Sequence, residues 1–227
     1  MNEPVKTEPG RRERKALATR RRVLDAAETL FIRDGFAATT VTDIADTADV
    51  AVQTVYAVFG TKRAILTELL GVRVVGDDER TPLRDREDWQ AIERETDPRQ
   101  QLALLATLAT RIGSRIAALY EVMAAAADSD PEIAEIYRRQ QQARYNDQRH
   151  LAQSLSCKGA LRAGLSEAHA TDIIWTLANP RTHRTLVSER RWATDEYERW
   201  LGHVLACALL TKPSTTRDTV NGCTDRA

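Results

Sequence analysis

The stretch TVYAVFGTK, residues 54–62, sets a hydroxyl at Thr54, a phenol at Tyr56 and an ammonium at Lys62 within nine residues. Hydroxyl and ammonium donors at such spacing can hold phosphate oxygens. Thr40 offers a further hydroxyl of the same kind. Next to them, Gln53 carries an amide that can donate and accept at one base edge, a pairing suited to adenine N6 and N7. Val52, Ala57 and Val58 could at best touch thymine methyls, and Thr42 is one more candidate for a base edge. A plainer reading competes. Val55 and Phe59 are spaced to be buried, Gly60 would stop the helix, and Tyr56 would be an amphipathic packing residue.

The elements that must position these groups are short helices. TRRRVLDAAETLFIRDG places Val23, Ala26, Ala27, Leu30 and Phe31 on one helical face, with Thr19 as a cap and Gly35 as a left-handed stop. In TTVTDIADTADV, Thr40 can cap and Asp43 can complete a capping box, with aspartate replacing glutamate. Val41, Ile44, Ala45 and Ala48 line its inner face. The turn Ala48-Asp49-Val50 leads into a third helix, Val52 to Phe59. Three helices this short have little core alone, so they must pack on the helix after Lys62, which is apolar at Ile65, Leu66, Leu69 and Leu70.

Formal net charge is zero, yet residues 11–22, RRERKALATRRR, hold seven basic residues against one acidic. A basic arm before a folded module can reach a phosphate backbone, and Arg11, Arg12, Arg14, Lys15 and Arg20 are its candidates. A solvated tail is the alternative. The three cysteines, Cys157, Cys207 and Cys223, form no C-x-x-C pair, which fits neither a disulfide framework nor a zinc site. Cys207, in an apolar stretch, reads as a small hydrophobe. His150, His169, His183 and His203 are isolated, no catalytic motif is found, and no cofactor is expected. The sequence contains neither a run of eighteen apolar residues nor an apolar leader, so a cytoplasmic protein without a membrane span is expected.

Strand signals are nearly absent, and the chain reads as all-α. Long helices are expected over 99–126, with the stripe Leu102, Leu105, Ala109, Ile112, Ile116, Tyr120 and Met123, and over 131–156. Ser166 should cap a further helix, which Asn179-Pro180 disturbs, and Thr194 should cap TDEYERWLGHVLACALL. The expected organisation is a flexible basic arm over 1–18, a helix-turn-helix head over 19–65, a helical regulatory and dimerisation domain over 66–211 and a tail over 212–227.

Val23, Ala26-Ala27, Leu30-Phe31, Gly35, Thr39-Thr40, Ile44-Ala45, Val50, Thr54-Val55-Tyr56, Phe59 and Lys62 form an ordered set over residues 20–66 that resembles the TetR family of bacterial transcription regulators. DREDWQAI, DPEIAEIY and WTLANPRTHRTLVSERRWATDEYERWL look like a common C-terminal domain of that family. The chain departs from the family at Asp49, where glycine is usual, and at Ala51, where serine or threonine caps the reading helix. Aspartate tolerates a left-handed turn, whereas alanine cannot cap and forgoes about 1 kcal/mol. The resemblance implies a non-enzymatic, ligand-responsive regulator, by the family's usual mode a repressor, that binds palindromic duplex DNA as a homodimer and is released by a small-molecule inducer. Dimerisation is expected through helices near 168–187 and 194–210, because the apolar face of the last helix has no other obvious cover. The implied ligand pocket draws candidates from Trp89, Ile112, Ile116, Tyr120, Met123, Trp175, Asn179 and His183. A helical scaffold, or a DNA-binding regulator without an inducer pocket, is the alternative.

Overall fold

The computed structural model describes residues 10–76 and 82–211, and the expected tail lies outside them. The described residues contain helices and no strand, with one isolated antiparallel bridge between Leu161 and Leu210. The helices are α1 (Arg11–Ala38), α2 (Val41–Thr47), α3 (Val52–Phe59), α4 (Lys62–Val75), α5 (Glu87–Arg94), α6 (Pro98–Ala127), α7 (Pro131–Cys157), α8 (Glu167–Leu177), α9 (Pro180–His183) and α10 (Thr194–Leu209). A turn of π-helix, Arg184–Glu189, continues α9.

Local chemistry sets most of these boundaries. Thr40 and Asp43 form the capping box at α2, with both reciprocal bonds present. Asp49 takes φ 52, the left-handed conformation that the tight turn requires. Ala51 leaves α3 without a side-chain cap. Proline occupies the first turn of α6, α7 and α9, and Asp97, Asp130 and Asn179 cap those three helices. Ser166 caps α8 as expected, but Thr194 is the first residue of α10, which has Ala193 at an uncapped N-terminus.

The start of α1 corrects the sequence reading. Thr19 is not a cap: the helix begins at Arg11, so residues 11–18 of the expected flexible arm are helical. Arg, Lys, Ala and Leu are good helix formers, and the segment extends a helix already nucleated by its buried face. At the other end Gly35 has φ 81 and ψ 166, a region that glycine alone occupies without strain; the first helical run breaks there as expected, and a short run to Ala38 follows across the kink. The expected boundary at 65/66 also falls inside α4, which runs unbroken from head to body.

α6 is the hub and packs against α1, α4, α5, α7, α9 and α10. It is long and apolar enough by composition to cross a membrane, and half of its most apolar stretch is buried inside the protein. One core joins the head residues Phe31, Ile44, Val55 and Phe59 to Leu66 and Leu69 of α4, and to Ile116, Leu119 and Met123 of α6. A second core lies wholly in the body, around Leu102, Leu105, Leu151, Ile174, Tyr197, Leu201 and Leu205. The apolar face of α10 therefore has a cover that the sequence reading did not supply: Tyr197, Leu201, Leu205 and Leu209 are buried within the chain, largely against α6. Cys207, read as a small hydrophobe, is exposed on the opposite face.

Gly113 marks the closest approach of α6 and α9. A methyl group there would stand 2.7 Å from Cγ of His183 and 2.9 Å from its Cβ. Gly to Ala inside a helix usually stabilises by about 1 kcal/mol. Gly113→Ala should do the reverse and destabilise by about 1–3 kcal/mol, through overpacking. Urea denaturation checks the sign, and adding His183→Ala should recover part of the loss.

Candidate nucleic-acid interface and ligand cavity

α2, the turn at Asp49 and α3 form a helix-turn-helix. α3 is short because Gly60, at φ 75, turns the chain out of the helix, and its amide donates to Tyr56. Val55 and Phe59 face the core. That orientation leaves Gln53, Ala57 and Val58 on the outer face, with Tyr56 52% and Val58 36% exposed. Thr42 on α2 is exposed as well. Two of the four large exposed apolar or aromatic side chains among the described residues thus lie on this one helix. Val52 and Thr54 are only partly exposed, and Val52 packs against the core. α3 thus presents Gln53, Tyr56, Ala57 and Val58 as an open, uncharged set of side chains.

Three expected DNA contacts are committed elsewhere. The Lys62 ammonium donates to the carbonyls of Phe36 and Thr39, each at 2.6 Å, and lies 4.3 Å from the Phe36 ring centroid. It closes the end of α1, whose last carbonyls lack helical partners, and so has a structural role. Burial, with help from neighbouring Arg63, pushes its pKa down. Arg20 pairs with Glu68 and lies over the Phe59 ring, which removes it from the arm. The Thr40 hydroxyl donates to Asp43 Oδ2 at 2.7 Å and accepts the Asp43 amide at 3.1 Å, so the cap uses it. Arg11, Arg12, Arg14 and Lys15 remain exposed on the first turns of α1. At about 1.5 Å per residue, Arg11 stands on the order of 15 Å along the helix from Arg22, which bonds weakly to the Asp49 carbonyl at 3.5 Å.

Head and body are joined by ion pairs as well as by the core. Arg63, at the start of α4, donates to Asp130 Oδ2 at 2.8 Å. The other Asp130 oxygen caps α7 by accepting the Glu132 and Ile133 amides. Arg63 chiefly holds the Asp130 carboxyl below its ordinary pKa of 3.8. At the far end of α4, Arg73 reaches Glu28 and Asp25 of α1, and Arg115 of α6 donates to the Val74 carbonyl at 3.1 Å.

A cavity of about 350 Å³ lies between α4, α6 and α7. Leu70, Val74, Leu105, Leu108, Ile112 and Ile116 supply apolar wall; Tyr120, Gln141, Arg144, Asp147 and Gln148 supply polar groups. Of the residues read as ligand-binding, Trp89, Ile112, Ile116 and Tyr120 line it. The other four do not. Met123 is buried in the core shared with the head. Trp175 serves from outside as a platform, its ring centroid 4.6 Å from the Arg144 guanidinium. Asn179 caps α9. His183 packs edge-on to Tyr197 and shares a 3.1 Å hydrogen bond with Ser114, and burial lowers its pKa.

Residues 23–69 match the model described as bacterial regulatory proteins, tetR family. The likeness in sequence covers the head, and there it is to the regulatory heads of that family. Among solved structures, FadR of Bacillus subtilis in complex with stearoyl-CoA aligns at 18% identity over 83% of this chain and 98% of that one, with a TM-score of 0.65. NalD of Pseudomonas aeruginosa, the secondary repressor of the MexAB-OprM multidrug efflux pump, aligns at 21% identity over 87% and 98%, with a TM-score of 0.65. A Saccharomonospora viridis protein in complex with choline aligns at 18% identity over 85% and 98%, also with a TM-score of 0.65. No curated protein matches this chain. The described residues therefore share the all-helical fold of these regulators.

Sequence reasoning missed Arg144, Gln141 and Gln148 in the body of this tetR-type fold. They belong to QQQARYNDQRH, polar on every side, in which no apolar stripe marks the inner face. Lys62 had a signal that was passed over, since a lysine placed just beyond a glycine turn can also cap a neighbouring helix. Lys62→Ala should lower the unfolding free energy by about 1–3 kcal/mol, because buried carbonyls lose their donor. The salt dependence of DNA binding should stay the same. An unchanged denaturation midpoint with a salt slope reduced by about 0.9 would return Lys62 to the phosphate backbone.

Proposed function

We propose that this chain is a ligand-responsive transcriptional regulator that binds a palindromic duplex operator as a homodimer, with repression as its mode of action and the cytoplasm as its compartment. The observation that carries the reading is the outward face of α3, Gln53, Tyr56, Ala57 and Val58, held clear of the core by Val55 and Phe59. Tyr56 and Thr54 are the phosphate donors of this scheme, and Gln53 is its principal base reader, with Thr42, Val52, Ala57 and Val58 as close apolar or hydroxyl neighbours. Arg11, Arg12, Arg14 and Lys15 act as a basic helical extension that adds phosphate contacts.

A twofold dimer suits half-sites about 34–36 Å apart. Its interface draws on the outer faces of α8 and α10, where Ile173, Leu177, Trp200, Val204 and Ala208 remain partly exposed. The position of the cavity supports the proposed ligand control. Leu70 and Val74 wall it from the C-terminal half of α4, and the N-terminal end of the same helix carries Lys62 and Arg63. A ligand that fits better when α4 is displaced shifts the two heads out of register; a useful switch needs on the order of 1–3 kcal/mol of coupling. The neighbours solved with stearoyl-CoA and with choline support a ligand site in this fold.

Fluorescence anisotropy on duplexes from upstream of its own gene tests the reading. Tyr56→Phe should weaken binding to all sequences alike. Gln53→Ala should relax preference at one base pair per half-site, at a cost of about 1–3 kcal/mol. An unchanged preference matrix in Gln53→Ala would put the reading face elsewhere, and a monomeric mass by light scattering at micromolar concentration would remove the dimer.

A further inference from the structure

The polar end of the cavity is electrostatically incomplete. Arg144 is partly buried, and among the described residues it has no carboxylate within salt-bridge distance. Its Nη1 donates to the carbonyls of Trp175 and Ala178, at 3.0 and 3.5 Å, and Nη2 to Gln141 Oε1 at 3.4 Å. Nε has no partner. The carbonyls are those of the C-terminal end of α8, so the cation is held by a helix dipole and an aromatic face and not by a counter-ion. Removing a guanidinium from water without an anion is costly, and burial pushes its pKa down accordingly.

Its neighbours complete a receptor for an anion. The Tyr120 hydroxyl oxygen accepts from Gln141 Nε2 and, at 3.3 Å, from the Tyr137 hydroxyl, which leaves the Tyr120 proton to donate. Gln148, one helical turn beyond Arg144 and only 5% exposed, has an amide oxygen with no partner; a half-turn of that amide sets its NH2, a donor for an anion, in the oxygen's place. The other charge at the wall, Asp147, is already engaged: Arg84 lies 3.7 Å from it, and burial pushes its carboxyl pKa up. The net uncompensated charge at the cavity wall is positive.

We propose that the cavity takes a monocarboxylate with an apolar body, its carboxylate held by Arg144 and Tyr120 and its body lying along Leu105, Leu108, Ile112 and Val74. The identity of the ligand class rests on the ligand-responsive reading above. At roughly the 30 Å³ that one water occupies in the liquid, 350 Å³ holds on the order of a dozen non-hydrogen atoms, the size of a medium-chain or aromatic acid.

Titration calorimetry on the full chain without DNA, with octanoate, 1-octanol and octylammonium at neutral pH, tests this. Octanoate should bind on the order of tenfold or more tighter than octanol, because a charge-assisted Arg–carboxylate contact is the difference between them, and octylammonium should bind weakest. Arg144→Met should bring octanoate to the level of octanol with octanol binding unchanged, and Tyr120→Phe should remove part of the preference. Should Arg144→Met fail to fold, Arg144→Lys, which keeps the charge without the fork, should retain the acid preference at lower affinity. Octanol or octylammonium binding as tightly as octanoate, no binding by any of the three, or an acid preference that survives Arg144→Met or is lost in Arg144→Lys would overturn the proposal. Octanoate binding with no loss of operator affinity would instead overturn ligand control and leave the ligand class standing.

Discussion

The burial of α4 on two sides governs this structure. Ile65, Leu66, Leu69 and Leu70 are all withdrawn from water, and Leu66 and Leu69 lie in the core that holds both the head residues Phe31 and Phe59 and the body residues Ile116 and Leu119. Each such side chain contributes about 1.5–3 kcal/mol when fully buried, far more than any one surface ion pair. The head is consequently too small to be stable apart from this helix, and its orientation is inherited from the body. Lys62 closing α1, Arg63 on Asp130 and Arg73 on Glu28 add direction to an attachment that apolar contact makes strong.

The same helix explains how the cavity and the outward face of α3 are linked in one chain. Four residues of its C-terminal half, Leu70, Gly71, Val74 and Val75, line the cavity, while its first residue reaches the carbonyls at the end of α1. Cores of this density switch between discrete packings in preference to deforming smoothly, so a change at one end of a buried helix is carried to the other. α3 is the least anchored element of the head, eight residues long and without a side-chain cap. Its outward face is therefore held only by the packing of Val55 and Phe59 behind it.

What could be read from the sequence follows from what leaves a periodic trace. Val23, Ala27, Leu30 and Phe31, then Ile44 and Ala45, then Val55 and Phe59, repeat at helical spacing, and all are buried as that spacing predicts. The cap at Thr40 and the left-handed turn at Asp49 were legible for local reasons, through hydroxyl and carboxylate chemistry. The errors have a common cause. Lys62, Arg20 and Arg144 are cations whose partners lie far away in sequence, at Phe36 and Thr39, at Glu68, and at Trp175 and Ala178. A charge reads as solvated until the fold supplies such a partner. His183 and Met123 erred the other way, since polar or polarisable groups on an inner helix face can serve packing and internal hydrogen bonds without touching a cavity.

All four tryptophans, Trp89, Trp175, Trp192 and Trp200, lie in the body, and none is in the head. Trp89, Trp192 and Trp200 belong to the second core, wholly in the body, so their fluorescence reports whether the body unfolds together with the head. The most direct test is denaturant unfolding of Phe31→Ala, a cavity made in the head at a site with no exposure, followed by tryptophan fluorescence and by far-ultraviolet circular dichroism. The shared core predicts a single transition in which both signals lose the same stability, about 3–5 kcal/mol. A tryptophan transition that stays at the parent midpoint while the dichroism shows the head melting first would contradict it.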